Sequence, residues 1–465
     1  MNAAVIWIIA PAVLSIVLFA LQKNRVLVVS LAAVVCTILS FLAALVPIGE
    51  AFKVGTLTAQ IPSTLTVLGR QFILVNGDRA YLALIYGLGA VWFVVGGITL
   101  AQRFFAPLGL AMIAVLVAAF AVEPFFYAAL LVETAVLLSI PILSTPGVSA
   151  KTGVQRYLIF QTLAIPFILM AGWILGLGEA NPTSAIIQTR AALFLALGFA
   201  FWLAIFPFHS WMPLLAKEAH PFPVGFILSL LPMVVVLLFL DFLNGFGWLR
   251  GTPQLYEVLK FLGVLMVVMG GVSAAVQRDI SRLLGFAVIF ETGYALIGIG
   301  LHSLSGLIVF AASLLPRLLG IIVFVIALSV LANQQVGFSL GELRGLVRKY
   351  PYVAIGLLIA YGSMGGLPLL AGFPVRQETL ELLAGQSFAL TAWASIGSLA
   401  FLVGGARILV EFVQSEDAEW KINETVPQRI LLTAGILFIF IFGLFPNQFI
   451  AAVLTILRSF PVLLQ

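Results

Sequence analysis

Charge is what this sequence has least of. Of 465 residues only 9% are Asp, Glu, Lys or Arg, three are His and one is Cys, while 62% are hydrophobic. The single cysteine, Cys36, excludes a disulfide framework and a thiolate-held cluster. No spacing of His, Cys, Asp or Glu resembles a metal site, and no hydroxyl or thiol has a base at triad-like spacing, so no metal, cofactor or nucleophile is expected. The net charge of +5 forms no basic stripe of the kind that binds nucleic acid. The N-terminus lacks a basic n-region before its first apolar run, which reads as a retained helix and not a cleaved signal. Nor does any shift in composition mark a soluble domain. With nowhere outside the membrane to bind a nucleotide or build a redox chain, the chain is expected to work within the bilayer or by holding partners.

A mean hydropathy of +1.19 is far beyond that of a soluble domain of this length. Apolar runs of about 20 residues, each able to cross roughly 30 Å of hydrocarbon as helix, recur along the chain. There are fourteen: 2–21, 26–47, 80–101, 104–122, 124–144, 157–178, 190–212, 222–243, 255–276, 283–301, 304–332, 352–371, 387–412 and 430–456. They are continuous, not alternating, which predicts an all-α polytopic membrane protein instead of a barrel. Thirteen Lys and Arg fall in connections reached after odd-numbered runs and seven in the others, which places both termini outside and the odd connections in the cytoplasm, a bacterial inner membrane being the expected one. Arg317, Arg376 and Arg407 lie within or beside apolar runs. The polar connections 48–79, 334–351 and 413–429, the last carrying Glu416, Asp417, Glu419 and Glu424, read as solvated loops.

The scarce residue types are concentrated. "AIFPFHSWMPLLAKEAHPFP", 204–223, holds two of the three histidines, a lysine, a glutamate and four prolines. Pro207 and Pro213 flank His209 in the seventh run, and Pro368 and Pro374 fall in "GGLPLLAGFPVRQE", 365–378, at the twelfth. Each proline removes a helix hydrogen bond and clashes with the preceding turn, so both runs are expected to be broken near membrane depth, as two five-helix repeats would have it, with the breaks lining a hydrated cavity.

Four stretches resemble one family in order and spacing between about 120 and 410: "PFHSWMP" (207–213), "QRDISRLLGFAVIFETGYALIGIG" (277–300), "SLLPRLLGIIVF" (313–324) and "GGLPLLAGFPVRQ" (365–377). The family is that of the antiporter-like subunits of respiratory complex I (the L, M and N subunits of NADH-quinone oxidoreductase), Mrp antiporters and membrane-bound hydrogenases. The resemblance implies a single integral membrane domain over 1–465: N-terminal helices over 1–122, a first inverted repeat over 104–243, a second over 255–412 and a C-terminal helix over 430–456, with helices 7 and 12 broken. It also implies proton or cation/proton translocation along a polar axis, redox chemistry confined to partner subunits, and hydrophobic membrane-arm subunits and lipid as partners.

The match is that of a divergent member. Glu133, in "LLVETAVLLSIP", falls at the family's fifth-helix glutamate, about ten residues into its run and so near mid-depth. Trp202 stands where that glutamate's lysine partner is expected, and the eighth run has no lysine, its counterpart falling near Val234. In the second repeat Arg317 and Arg376 take lysine positions and Glu291 replaces a histidine. A lysine in a nonpolar cavity can exchange a proton near neutral pH, whereas arginine, with a pKa above about 12, cannot. The titratable groups left inside are Glu133, Glu291 and His209, with Lys217, Glu218 and His220 at the cytoplasmic rim and His302 at the outer one. An ionisable group at the bilayer centre costs roughly 2.5 to 3.5 kcal/mol and so has a partner. For Glu133 and Glu291 the alternatives are proton transfer and a structural carboxyl; for Arg317 and Arg376, a structural counter-ion comes first. His209 could satisfy a carbonyl freed by the helix break, and Lys217, Glu218 and His220 an ordinary wet loop. Two other readings of the whole stay open: a non-conducting scaffold, supported by the missing lysines, and a stand-alone transporter whose arginines clamp a small anion.

Overall fold

The computed structural model describes residues 2–54, 57–67, 69–99, 103–144, 151–176, 184–414 and 420–464. Each of the fourteen apolar runs contains a helix: α1 (Val5–Ala20), α2 (Arg25–Leu45), α3 (Arg79–Ile98), α4 (Phe105–Ala121), α5 (Ala128–Leu143), α6 (Thr152–Ile174), α7 (Ala185–Trp202), α8 (Trp211–Glu218), α9 (Pro221–Gly245), α10 (Pro253–Val276), α11 (Ile280–Gly300), α12 (Leu304–Asn333), α13 (Pro351–Gly365), α14 (Gly372–Gln386), α15 (Phe388–Val413) and α16 (Val426–Leu444). Among the described residues eleven helices are long and apolar enough to cross a membrane, and α1, α4 and α13 are shorter apolar ones.

The seventh run is two helices, α7 and α8, and the twelfth is α13 with α14 beyond it. After Trp202 the chain leaves the helix through 203–207, with Ala204 at φ 53°, and re-enters by a single 3-10 turn at Phe208–Ser210. After Gly365 it leaves through 366–371, with Gly366 at φ 80° and Leu369 at φ 70°. Pro213 and Pro374 sit in the first turns of α8 and α14, where a missing N–H costs nothing; Pro207 and Pro368 lie in the breaks. The apolar run ended at 371 because α14 is polar, carrying Arg376, Gln377, Glu378 and Glu381.

Burial separates the middle of the bundle from its edge. The apolar windows of α9 and α11 are 94% buried, whereas that of α16 is 17% buried and faces outward. A helix that is hydrophobic all round, as α9 is, belongs in such a centre. Helices approach closely where side chains are absent: a Cβ on Gly263 of α10 would come within 2.7 Å of the Gly293 carbonyl of α11, and one on Gly271 would overlap the Gly397 carbonyl of α15. With no water to expel between membrane helices, such backbone proximity supplies the packing. α8 is held in the same way, with Gly153 of α6 against the Leu214 backbone and Gly285 of α11 so close to Pro213 that an added Cβ would fall 2.5 Å from its Cα.

Two expectations need correction. Part of the 48–79 connection is β structure: β1 (Ala51–Val54) pairs with β2 (Leu57–Gln60), and β3 (Thr64–Val67) with β4 (Arg70–Ile73), which also takes β5 (Val122–Glu123). Pairing satisfies backbone groups that a loop would leave to water. Glu424 is no solvated loop residue. It is buried, and its Oε1 accepts from the N–H groups of Tyr352 (3.0 Å) and Val353 (3.3 Å), capping α13. Glu416, Asp417 and Glu419 lie outside the described residues.

Gly271→Leu is expected to force α10 and α15 apart at a cost of about 1–3 kcal/mol. The check is thermal unfolding in mild detergent against Gly385→Ala, whose added Cβ meets nothing within 4 Å. Equal midpoints would mean that the crossing is looser than its geometry.

Candidate ion-translocation site

The buried charges collect in the second half of the bundle. α11 presents Glu291, Thr292 and Tyr294, α12 presents Arg317 and α14 presents Arg376, all buried. Arg376 Nη2 and Glu291 Oε1 form an ion pair. The same guanidinium donates from Nε and Nη2 to the carbonyl of Met364, at 3.4 and 3.2 Å, and lies 3.7 Å from the Tyr294 ring centroid. That carbonyl is in the last turn of α13, left without a helical donor by the break. Arg376 therefore spans the interruption, gripping the end of one half-helix from the first turns of the next. Gly366 must be glycine on two counts, its φ of 80° and the 3.0 Å that would separate a Cβ from Arg376 Cγ. Tyr294 is anchored by a 2.6 Å hydrogen bond between its hydroxyl and Ser398 Oγ of α15.

Arg317 donates from Nη2 to Thr292 Oγ1 at 3.2 Å, and Thr292 donates in turn to the Val288 carbonyl at 2.8 Å. Reading the sequence alone missed Lys260. It counted among outer-side charges, yet it is only 4% exposed on α10, with Nζ 2.8 Å from Glu257 Oε1 and 2.7 Å from Gln386 Oε1. Gln386 passes the network to the Leu301 carbonyl at 2.9 Å. The signal was available: Lys260 lies within the run 255–276, and an ionisable residue inside an apolar run is the feature that singled out Arg317.

The structure brings Glu291, Arg317 and Arg376 together and leaves the other candidates apart. Half-buried Glu133 accepts from Thr162 Oγ1 at 2.7 Å, and its Oε2 is enclosed without a partner among the described residues. Among the described residues no basic side chain is paired with it, and Trp202 is packed edge-on against Phe199 (5.7 Å), which in turn meets Phe239 (5.1 Å) and Phe242 (5.5 Å). Val234 is fully buried. His209 stacks on Phe206 at 5.7 Å in the turn between α7 and α8. At the rim, Glu218 is structural: Oε2 accepts from the Gly153 N–H at 2.6 Å, at the start of α6, and its carbonyl accepts from Lys151 Nζ at 2.7 Å. Lys217 is exposed. His220 Nδ1 accepts from the Phe222 N–H at 3.3 Å, capping α9, and Nε2 faces Asn333 Oδ1 at 3.3 Å. His302 stacks on Tyr256, centroids 3.7 Å apart.

A bundle of apolar helices, two of them interrupted and one interruption closed by a buried ion pair, defines a polytopic helical membrane protein. Residues 157–401 match the family described as NADH:quinone oxidoreductase/Mrp antiporter, TM, and with more than half of its 465 residues matched the chain belongs to that family. It is similar to NADH-quinone oxidoreductase subunit N of Methylobacterium nodulans, 28% identical over 296 residues that make up 62% of this chain and 60% of that protein. It is 34% identical to subunit N 2 of Solidesulfovibrio magneticus over 184 residues, 39% of this chain and 38% of that one. The matched stretch thus spans 60% or less of these relatives. Its fold is that of a chain in the Mrp complex from Dietzia sp. (TM-score 0.83, 16% identity, 100% of this chain and 99% of that one) and of a chain in respiratory complex I from Thermus thermophilus (TM-score 0.78, 22% identity, 98% and 99%).

Removing one member of a buried ion pair leaves the other uncompensated, a loss of about 3–5 kcal/mol, whereas replacing both with apolar groups is far milder. Arg376→Met is therefore expected to destabilise more than Arg376→Met combined with Glu291→Leu. Unfolding midpoints of the two variants check this, and a double variant weaker than the single would break the pairing. A second expectation concerns pH. Burial holds the His220 imidazole below its ordinary value of 6.5, offset in part by the Asn333 hydrogen bond. The neutral ring thus stabilises the fold above pH 6.5, and that stability is lost as pH falls through the lower folded value. His220→Asn, which can still cap α9, should flatten the acid side of the stability profile below pH 6.5; a parallel loss in both proteins would place the acid-sensitive group elsewhere.

Proposed function

We propose that this chain is an antiporter-like membrane subunit of a complex I-like or Mrp-like assembly, contributing to proton or cation/proton translocation coupled to redox chemistry in partner subunits. In this reading all fourteen helical runs cross the membrane with both termini outside, 104–243 and 255–412 form the two inverted repeats, and other hydrophobic membrane-arm subunits flank the chain. The observation that carries it is the ion pair of Glu291 with Arg376 across the break between α13 and α14. Arginine stays charged, so the proton that moves belongs to the carboxyl. Protonating Glu291 cancels the pair and leaves Arg376 with the Met364 carbonyl and the Tyr294 face. Proton binding is thereby tied to the geometry of an interrupted helix. Lys260, buried and held by Gln386 and Glu257, is a third buried cation of this half and the only one of the three that is not an arginine. A scaffold reading is favoured by one observation only, the aromatic packing around Trp202 where the first repeat would need its base.

The two readings part on Glu291→Gln in the assembled complex, reconstituted into vesicles. Copurification of the partner subunits with protons moved per turnover reduced severalfold is the expected result. An intact assembly with unchanged stoichiometry would make this subunit a scaffold.

A further inference from the structure

The second-repeat cluster does not balance electrically. Arg317 and Arg376 carry two positive charges and Glu291 one negative, and all three are at most 6% exposed. Glu291 is paired with Arg376. Among the described residues no carboxylate oxygen lies within 4.0 Å of Arg317. Its one hydrogen bond, through Nη2, goes to the neutral hydroxyl of Thr292, and Nε is enclosed with no acceptor. Arg376 makes the close contact with Glu291 and is oriented by Met364, Tyr294 and Phe290 as well, so Arg317 feels that one carboxylate only at longer range and together with the repulsion of Arg376, and the cluster keeps an excess of one positive charge.

A guanidinium is permanently charged, and the cost of burying an unpaired charge is several kcal/mol. Lysine at this position could shed its proton and sit neutral; arginine cannot. Water satisfies the Nε–H without removing the excess charge. One singly charged anion does both, and an enclosed position beside a single guanidinium suits a small one, without the size and higher charge of a phosphate. We propose that Arg317 binds a small monovalent inorganic anion, of the halide class, at its Nε edge, making the cluster electrically neutral as two cations and two anions. The site is a structural counter-ion site and does not depend on whether Glu291 moves protons.

The probes are chloride and bromide on the full chain in its native assembly. Exchange from gluconate into chloride is expected to raise the unfolding midpoint, by about 1–2 °C per tenfold rise in chloride above the half-saturation point and hardly at all below it. Arg317→Gln should abolish that dependence, while Arg407→Gln, which removes donors to the carbonyls of Ala275 and Gln277 at the end of α10, should keep it. In bromide, crystals should show an anomalous peak beside Arg317 Nε. A midpoint indifferent to halide, or the same halide dependence in Arg317→Gln, would overturn the proposal. If that variant fails to assemble, the bromide map of the unaltered protein decides, and a map without a peak at Arg317 counts against the site.

Discussion

The ion pair between Glu291 and Arg376 is the constraint around which the second half of the bundle is arranged. A carboxylate and a guanidinium removed from water keep their charges only if they meet each other and if their remaining donors and acceptors are met as well. Meeting that condition at the centre of an apolar bundle requires several elements at once. α13 must stop at Gly365 so that the Met364 carbonyl is free, and Gly366 must take a positive φ next to the Arg376 side chain. α14 must then start close enough that Gly372 lies against the Ser363 carbonyl, with its N–H 3.2 Å from Ser363 Oγ. Tyr294 must face the guanidinium and be held by Ser398 of α15. The break in the twelfth run is thus no defect tolerated by the bundle, because its freed carbonyl and its ion pair satisfy the same arginine.

The two halves of the chain solve the burial of the central region in opposite ways. In the first, α9 carries no charge through its buried middle, and aromatic rings fill the space: Trp92 donates to Ser229 at 2.9 Å and packs with Phe222 and Phe226, while Phe199, Phe239 and Phe242 close around Trp202. In the second, α11 is as deeply buried as α9 and α12 somewhat less so, yet they hold Glu291, Thr292 and Arg317. An aromatic core gains from every square ångström it hides, whereas a charged one must recover its desolvation cost through partners. In the proposed reading, ion chemistry belongs to the half that keeps the costlier solution.

Much of this was legible in the sequence because hydropathy and proline act locally. Continuous apolar runs fix where helices lie, and Pro207 and Pro368 mark the two breaks within a residue or two. What escaped depends on neighbours far along the chain. Lys260 looks like an end-of-helix charge until Gln386, 126 positions away, is placed against it. Glu424 looks like one acid among several in a polar connection, yet it caps a helix that begins at Pro351. α14 was hidden by its polarity: Arg376, Gln377, Glu378 and Glu381 give no apolar run, and the helix is held by its junction with α13 and by α15. The family motif located Glu291, Arg317 and Arg376, but only coordinates show that Arg376 and not Arg317 holds the glutamate.

Arginine in place of lysine at both positions changes what kind of relay this half can be. A lysine relay passes protons through the cations themselves, so each step leaves a neutral amine and the local charge rises and falls along the path. With arginine the cations are fixed, and only a carboxyl or a distant lysine can change state. The field at Glu291 is then set by two constant positive charges, and the variable becomes the geometry of the break that Arg376 spans. When Glu291 is ionised, Arg376 joins three elements: α11 through the carboxylate, α13 through the Met364 carbonyl and its own α14. When Glu291 is neutral, the strongest of those ties is gone while both arginines remain charged, and the junction between the half-helices is the part left to respond. In the proposed reading, conversion of a proton into a movement of an interrupted helix needs no second titrating residue in contact with the first, so loss of the lysines would leave a means of coupling.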